Sequence, residues 1–274
     1  MNPLYKKRIN NFRRGRVKAS AEVRRQLIIR NNLERTFNRK LRTAFRKFVN
    51  VQMFLFSETG VYNVDVASRV LTEEIYPTVL EQYKKIFLLI YKTAETRYAK
   101  DRKAEEVFVF GRSVDFEKIV NEYFNTRQLI LSGITQRLAK KISDYIEQAR
   151  ADNLTLPEIT RSVVKKFNFL SVSRSALIAR TETHNAASFA NHSYHKTLKD
   201  DLGMKMVKRW SATNDGRTRD AHAIANGQTV DMDEDFTVGG AKMSFAGDPR
   251  GGARNVINCR CVIVYADEQD IVLD

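Results

Sequence analysis

The sequence predicts an α+β fold: a long helical N-terminal region followed by a small mixed α/β C-terminal domain with short antiparallel strands. Two observations carry this. From about residue 20 to 170 of the 274, apolar side chains recur at spacings of three and four, as they do on helix faces. Beyond that point the composition changes. All four histidines, both cysteines and the sole tryptophan lie between residues 184 and 261, and eight of the 12 glycines follow residue 200. Glycine turns between short β-branched runs punctuate small sheets. Three segments are therefore expected: a flexible basic arm (1–19), a helical region (20–170) and a mixed domain (171–274).

The arm stands out by charge. Residues 1–50 hold 16 Lys+Arg against only Glu22 and Glu34, which places +14 of the net +15 in that stretch. Lys6, Lys7, Arg8, Arg13, Arg14, Arg16 and Lys18 lie in a part with little apolar periodicity. Such a block can meet nucleic acid, an anionic membrane or an acidic protein surface, or simply form a solvated face. Phosphate binding fits better than a membrane, because the following helix has no Trp and its flank is rich in Asn. Neutralising about 6–8 phosphates would give a slope of log K against log salt of roughly −5 to −7. No zinc finger, RNP motif or clear helix-turn-helix reads base sequence, so DNA contact is expected to be sequence-independent.

Ser20 is a plausible N-cap for the first helix. Leu33, Phe37, Leu41, Phe45 and Phe48 form its apolar stripe, with Arg35, Arg39, Lys40, Arg42, Arg46 and Lys47 largely off it. A second helix starts near Asp65, is kinked or restarted by Pro77, and continues through Val79 or Leu80, Tyr83, Phe87, Ile90 and Ala94. Val107–Gly111 is a short apolar run that periodicity alone assigns neither to strand nor to turn. Asp115 is positioned to cap a third helix, along which Ile130, Ile134, Leu138, Ile142 and Ile146 repeat every four residues. Pro157 suits the first turn of a short helix to Phe167, and Ser173 the cap of another to about Leu198. The 43% apolar fraction and 16 Phe suffice for a core, while no apolar run approaches the 18 residues of a membrane span. Two cysteines exclude a disulfide scaffold, and no secretory signal is read at the basic N-terminus.

In the C-terminal part, Met204–Trp210 alternates like a strand, Asn214–Arg217 reads as a turn, Asn226-Gly227 as a tight turn before Thr229-Val230, and Val262 and Val264 as a closing strand. The short motifs here occur in a specific order. They are Ala179-Arg180-Thr181-Glu182; Trp210 with Asp215, Arg217, Thr218, Arg219 and His222; Asn226-Gly227; Gly247-Asp248-Pro249; and Asn258-Cys259-Arg260-Cys261.

This set resembles the Mu F-like domain of tailed-phage head morphogenesis (minor head) proteins, shared with gp7-like proteins, over about residues 155–266. The resemblance implies a structural virion protein in a few copies, near the portal vertex in the head interior and made in the host cytoplasm. Its implied partners are the portal protein, other head proteins and packaged DNA. It implies no catalysis and no cofactor, and no membrane is expected as a partner. With eight residues past 266, no appended toxin domain of the kind some members carry is expected.

Arg180, Glu182, Trp210, Asp215, Arg219, His222, Cys259 and Cys261 are the residues expected to hold the domain together. Several of them also admit sharper chemistry. His222, Cys259 and Cys261 supply three ligand types that zinc accepts, with Asp215, Asp220 or another His as a fourth. Cys-X-Cys is a less usual structural-zinc spacing than Cys-X-X-Cys, and packing against the His222 helix is the expected arrangement. Cysteines two apart on a strand cannot close an unstrained disulfide. A thiol nucleophile lacks local context. A nuclease centre of His222 with Asp215, Asp220 and Glu182 is the enzymatic alternative, against a buried polar network in which Arg180 pairs Glu182 or Asp215. Arg180 and Glu182 are too close in sequence for ADP-ribosyl transfer, and no P-loop is present.

Overall fold

A computed structural model describes residues 21–102, 115–213 and 215–267. The basic arm, Ser20 and the Val107–Gly111 run lie outside the described residues. Four long helices come first: α1 (Ala21–Thr59), α2 (Val64–Arg102), α3 (Phe116–Ala151) and α4 (Leu156–Leu202). Then follow β1 (Met206–Ser211), α5 (Asp220–Ala225), β2 (Thr229–Asp231), β3 (Phe236–Val238), β4 (Ala241–Met243), a 3₁₀ turn (Pro249–Gly251), α6 (Gly252–Val256) and β5 (Val262–Asp267). Helices followed by short antiparallel strands are the predicted α+β arrangement. No described helix is long and apolar enough to cross a membrane.

The described residues form two compact units, and neither is one continuous stretch. One holds 34–85 and 116–179. Here Phe37, Leu41, Phe45 and Phe48 are buried, and Phe45 and Phe48 both meet Phe167 at 6.4 Å. Of the off-stripe cations, Arg35, Arg39, Arg46 and Lys47 are exposed. Two of the six are already answered: Lys40 pairs with Glu81 (2.5 Å) and Lys47 with Glu74 (2.7 Å). Glu81, bridged by Lys40 and also by Lys85, is held down to about 2.

Three local expectations change. Pro77 sits exposed inside the uninterrupted α2. Ser173 caps nothing: α4 is one helix of 47 residues, and the Ser173 hydroxyl donates to Leu170 O within it. The start of α4 is as expected, with Thr155 donating both its N–H and hydroxyl to Glu158 in a capping box and Pro157 in the first turn. On α3, Leu138, Ile142 and Ile146 of the four-residue series are buried, but Ile130 is 40% exposed. A step of four residues turns about 400°, so the series drifts about 40° per step. Arg127, Leu131 and Thr135 take the inward face instead.

The other unit holds 21–33, 86–102, 115 and 180–267 among the described residues. It contains a three-stranded antiparallel sheet in the order β2-β1-β5, with Trp210 opposite Ile263 and Lys208 opposite both Val230 and Tyr265. The hairpin β3-β4 turns on Gly239 (φ 57°) and Gly240 (φ 84°), the paired positive φ of a tight hairpin turn. On β1, Met206, Lys208 and Trp210 share a buried face. Lys208 is accommodated there because its Nζ donates to Ser244 O (2.9 Å) and sits 5.4 Å from the Phe236 ring centre. Burial lowers its pKa to about 8.

Candidate functional site

The motif residues converge inside this second unit. α4 supplies Thr181, Glu182, Thr183, His184 and Asn185, five consecutive polar residues that are all buried. A helix is normally polar on its outer face, so burying this run requires partners around it. Asn258 supplies one, to Thr181, and bonds the neighbouring Arg180 as well. Arg180 donates to Asn258 Oδ1 (3.0 Å), and Asn258 N–H donates to Thr181 Oγ1 (3.0 Å). Arg219 donates to Ile257 O (2.5 Å). Asn258 has a left-handed backbone (φ 59°), which Asn tolerates better than most residues. That turn reverses the chain ahead of Cys259.

Two residues later the chain alternates before β5 begins at Val262. Arg260 reaches Asp215 (2.8 Å), which Arg217 also approaches (3.5 Å). Cys259 and Cys261 instead lie toward His222 on α5. His222 Nδ1 is 3.3 Å from Cys261 Sγ and 3.6 Å from Cys259 Sγ. The three residues are 1%, 4% and 2% exposed, and both cysteines are free thiols. Trp210, fully buried, meets the His222 ring edge-on at 5.7 Å.

The two thiols titrate as a pair. The hydrogen bond from Cys261 holds Cys259 well below the ordinary thiol range, and His222 adds to this against the opposing effect of burial. Burial pushes Cys261 well above that range, and its neighbour Cys259 adds to the push. The two shifts run in opposite directions because the two sulfurs share one buried environment. The fully buried Arg30 of α1, donating to Ser188 Oγ and Gln26 Oε1 (both 3.0 Å), feels the charge of this cluster; desolvation still lowers it to about 10.

The enzymatic alternatives are not assembled. Among the described residues the one group of His, Cys, Asp or Glu side chains close enough to share an ion is His222, Cys259 and Cys261. Asp215, which a nuclease centre would need, is turned to Arg260. A nucleophilic cysteine needs access, and neither sulfur has it. Sequence reasoning missed Arg30, Thr183, His184 and Asn185. Arg30 is one of 16 cations in the first 50 residues and the other three lie in a plain polar stretch, so no periodic signal marks them.

A second network lies at the Gly-Asp-Pro turn. Asp248 accepts from Ser244 N–H (2.8 Å) and Arg250 N–H (3.0 Å), and the Arg250 guanidinium bridges Asp248 and Asp235 at 2.6–3.2 Å. These bonds raise Arg250 and hold Asp235 below the usual carboxylate range.

The family model described as Phage Mu protein F like protein matches residues 140–264. Over 211 residues, 72% of this chain and 67% of the relative, the chain is 25% identical to minor head protein GP7 of Bacillus phage SPP1. Over 129 residues it is 32% identical to the NAD(+)–arginine ADP-ribosyltransferase EFV of Enterococcus faecalis, covering 46% of this chain. The chain spans only 26% of that protein's length. No solved structure matches. The matched segment contains every motif that converges on the buried cluster, and the likeness to the phage relative runs beyond it: the chain is similar to the Mu F-like phage head proteins.

Proposed function

We propose that the protein is a structural component of a tailed-phage head, placed at the portal vertex in a few copies, where it assists head morphogenesis and genome packaging or ejection. Its partners are the portal protein, other head proteins and packaged DNA, and it performs no catalysis. The observation that carries this reading is the likeness to a minor head protein over 72% of the chain, joined to the placement of +14 in residues 1–50. A dense positive segment beside packaged DNA needs only phosphate neutralisation, not sequence readout. In this reading Lys6, Lys7, Arg8, Arg13, Arg14, Arg16 and Lys18 contact DNA or an acidic portal surface. Residues 171–274 form the head-protein domain, held by Arg180, Glu182, Trp210, Asp215, Arg219, His222, Cys259 and Cys261. The burial of His222, Cys259 and Cys261 supports a structural rather than catalytic role for them.

Two measurements test this. A map of the virion vertex should place density for the chain against the portal; a location elsewhere in the particle removes the proposal. DNA binding measured from low to high salt should show a slope of about −5 to −7, and deleting residues 1–19 should abolish most of it. If the truncated chain binds DNA with the same slope, the arm serves a protein partner and the DNA assignment fails.

A further inference from the structure

The geometry points to a thiophilic divalent-metal site of the zinc type at His222, Cys259 and Cys261. Zinc–sulfur bonds of about 2.3 Å and zinc–nitrogen bonds of about 2.0–2.1 Å, opened at the tetrahedral angle, put N and S about 3.5 Å apart. The two observed Nδ1···Sγ separations, 3.3 and 3.6 Å, bracket that value. All three ligand atoms lie within 4.8 Å of one another, so one ion can reach them together without moving the backbone.

The environment suits thiolate ligation as well as the distances do. Both sulfurs are free thiols, and both lie beside the same imidazole nitrogen. The Cys-X-Cys spacing, less usual for a structural site, works here because Asn258 reverses the chain just before Cys259 and Arg260 turns away to Asp215. Both sulfurs are left facing α5. Binding takes both sulfurs as thiolates, releasing their protons to solvent, and joins the start of β5 to α5 through two metal–sulfur bonds and one metal–nitrogen bond. Three protein ligands leave a fourth tetrahedral position for water. The ion acts as a structural clip, since the near-complete burial of its ligands leaves a substrate no route to it.

The test uses the full chain, purified without chelator and kept reduced. Elemental analysis should give about one zinc per chain. Cys259→Ser, Cys261→Ser and His222→Ala should each lower this at least fivefold. Because those variants risk failing to fold, the wild-type chain is also stripped by a chelator and titrated with Co²⁺. A thiolate-to-cobalt charge-transfer band saturating at one equivalent, displaced by Zn²⁺, is the expected result, with a Tm rise of about 5 °C or more on Zn²⁺ addition. Less than a tenth of an equivalent of metal together with no charge-transfer band overturns the site. A 2 Da mass deficit in the protein as isolated, marking a Cys259–Cys261 disulfide, overturns it equally.

Discussion

Replacing Gly247 by Ala tests how closely the Gly-Asp-Pro turn is packed on α4. Gly247 has φ +92°, a conformation that L residues adopt at a cost of about 1–2 kcal/mol. A Cβ placed there would overlap Asn185 Oδ1 and lie 2.9 Å from Asn185 Cγ and 3.2 Å from its Cα. The side chain can rotate away, but the backbone belongs to the buried stretch of α4 and cannot. Overpacking of this kind adds about 1–3 kcal/mol, so Gly247→Ala should cost about 2–5 kcal/mol in all. Gly240 supplies the control. Its φ is +84° but nothing lies within 4 Å of the added Cβ, so Gly240→Ala should show only the backbone cost of about 1–2 kcal/mol. Urea unfolding followed by far-UV circular dichroism gives both numbers. Adding Asn185→Ala should recover part of the Gly247→Ala loss, because the side-chain overlap disappears while the crowding against the α4 backbone stays. Equal losses at the two glycines, or no recovery in the double variant, would refute the packing argument.

Acid should weaken the fold through three histidines, of which His184 is held well below its ordinary range by burial. His192 and His195 are lowered to about 3 mainly by burial, and the His195 ring stacks on Tyr265 at 4.2 Å. The unfolded chain takes up these protons from about pH 6.5 downward and the folded chain does not, so stability is full above that pH and falls below it, by about 2 kcal/mol per histidine at pH 5. His195→Phe should flatten that slope in pH-dependent urea midpoints. Arg250→Gln leaves the buried Asp248 without its guanidinium; because Arg250 itself is half exposed, the cost should be about 1–2 kcal/mol. Because Arg250 depresses Asp235, the associated stability is present above about pH 4 and fades as pH falls through the folded value; the variant should show a shallower acid limb. Trp210→Ala empties a fully buried site and should cost about 3–5 kcal/mol by thermal unfolding.

The sequence made the helical half readable where periodicity is local. The Phe37–Phe48 stripe and the Val79–Ala94 stripe are both buried as spaced. It failed where a local signal lost to tertiary packing. Ser173 and Pro77 look like boundaries, yet both sit inside long helices whose buried faces continue past them. A single proline costs about 3 kcal/mol in a helix interior, which a helix of 39 residues with a packed face can absorb. The regular four-residue series on α3 misled because it repeats more slowly than the helix turns. In the C-terminal part, the motifs marked which residues matter but not which meet. No spacing points to Asn258 as a partner of Arg180, or to Arg260 as a partner of Asp215. Such pairings depend on a turn with positive φ that no spacing encodes.

The bonds that tie Arg180 and Thr181 with Asn258 join residues 78 and 77 positions apart. An interaction at that separation is rewarded only after the intervening chain has closed, at an entropy cost that local helix formation never meets. The motif cluster is thus a lock fastened after α4 has formed. Weakening it should speed the opening of the folded chain far more than it slows the folding of the helices. In the proposed head role, that would be a setting of lifetime rather than of folding rate.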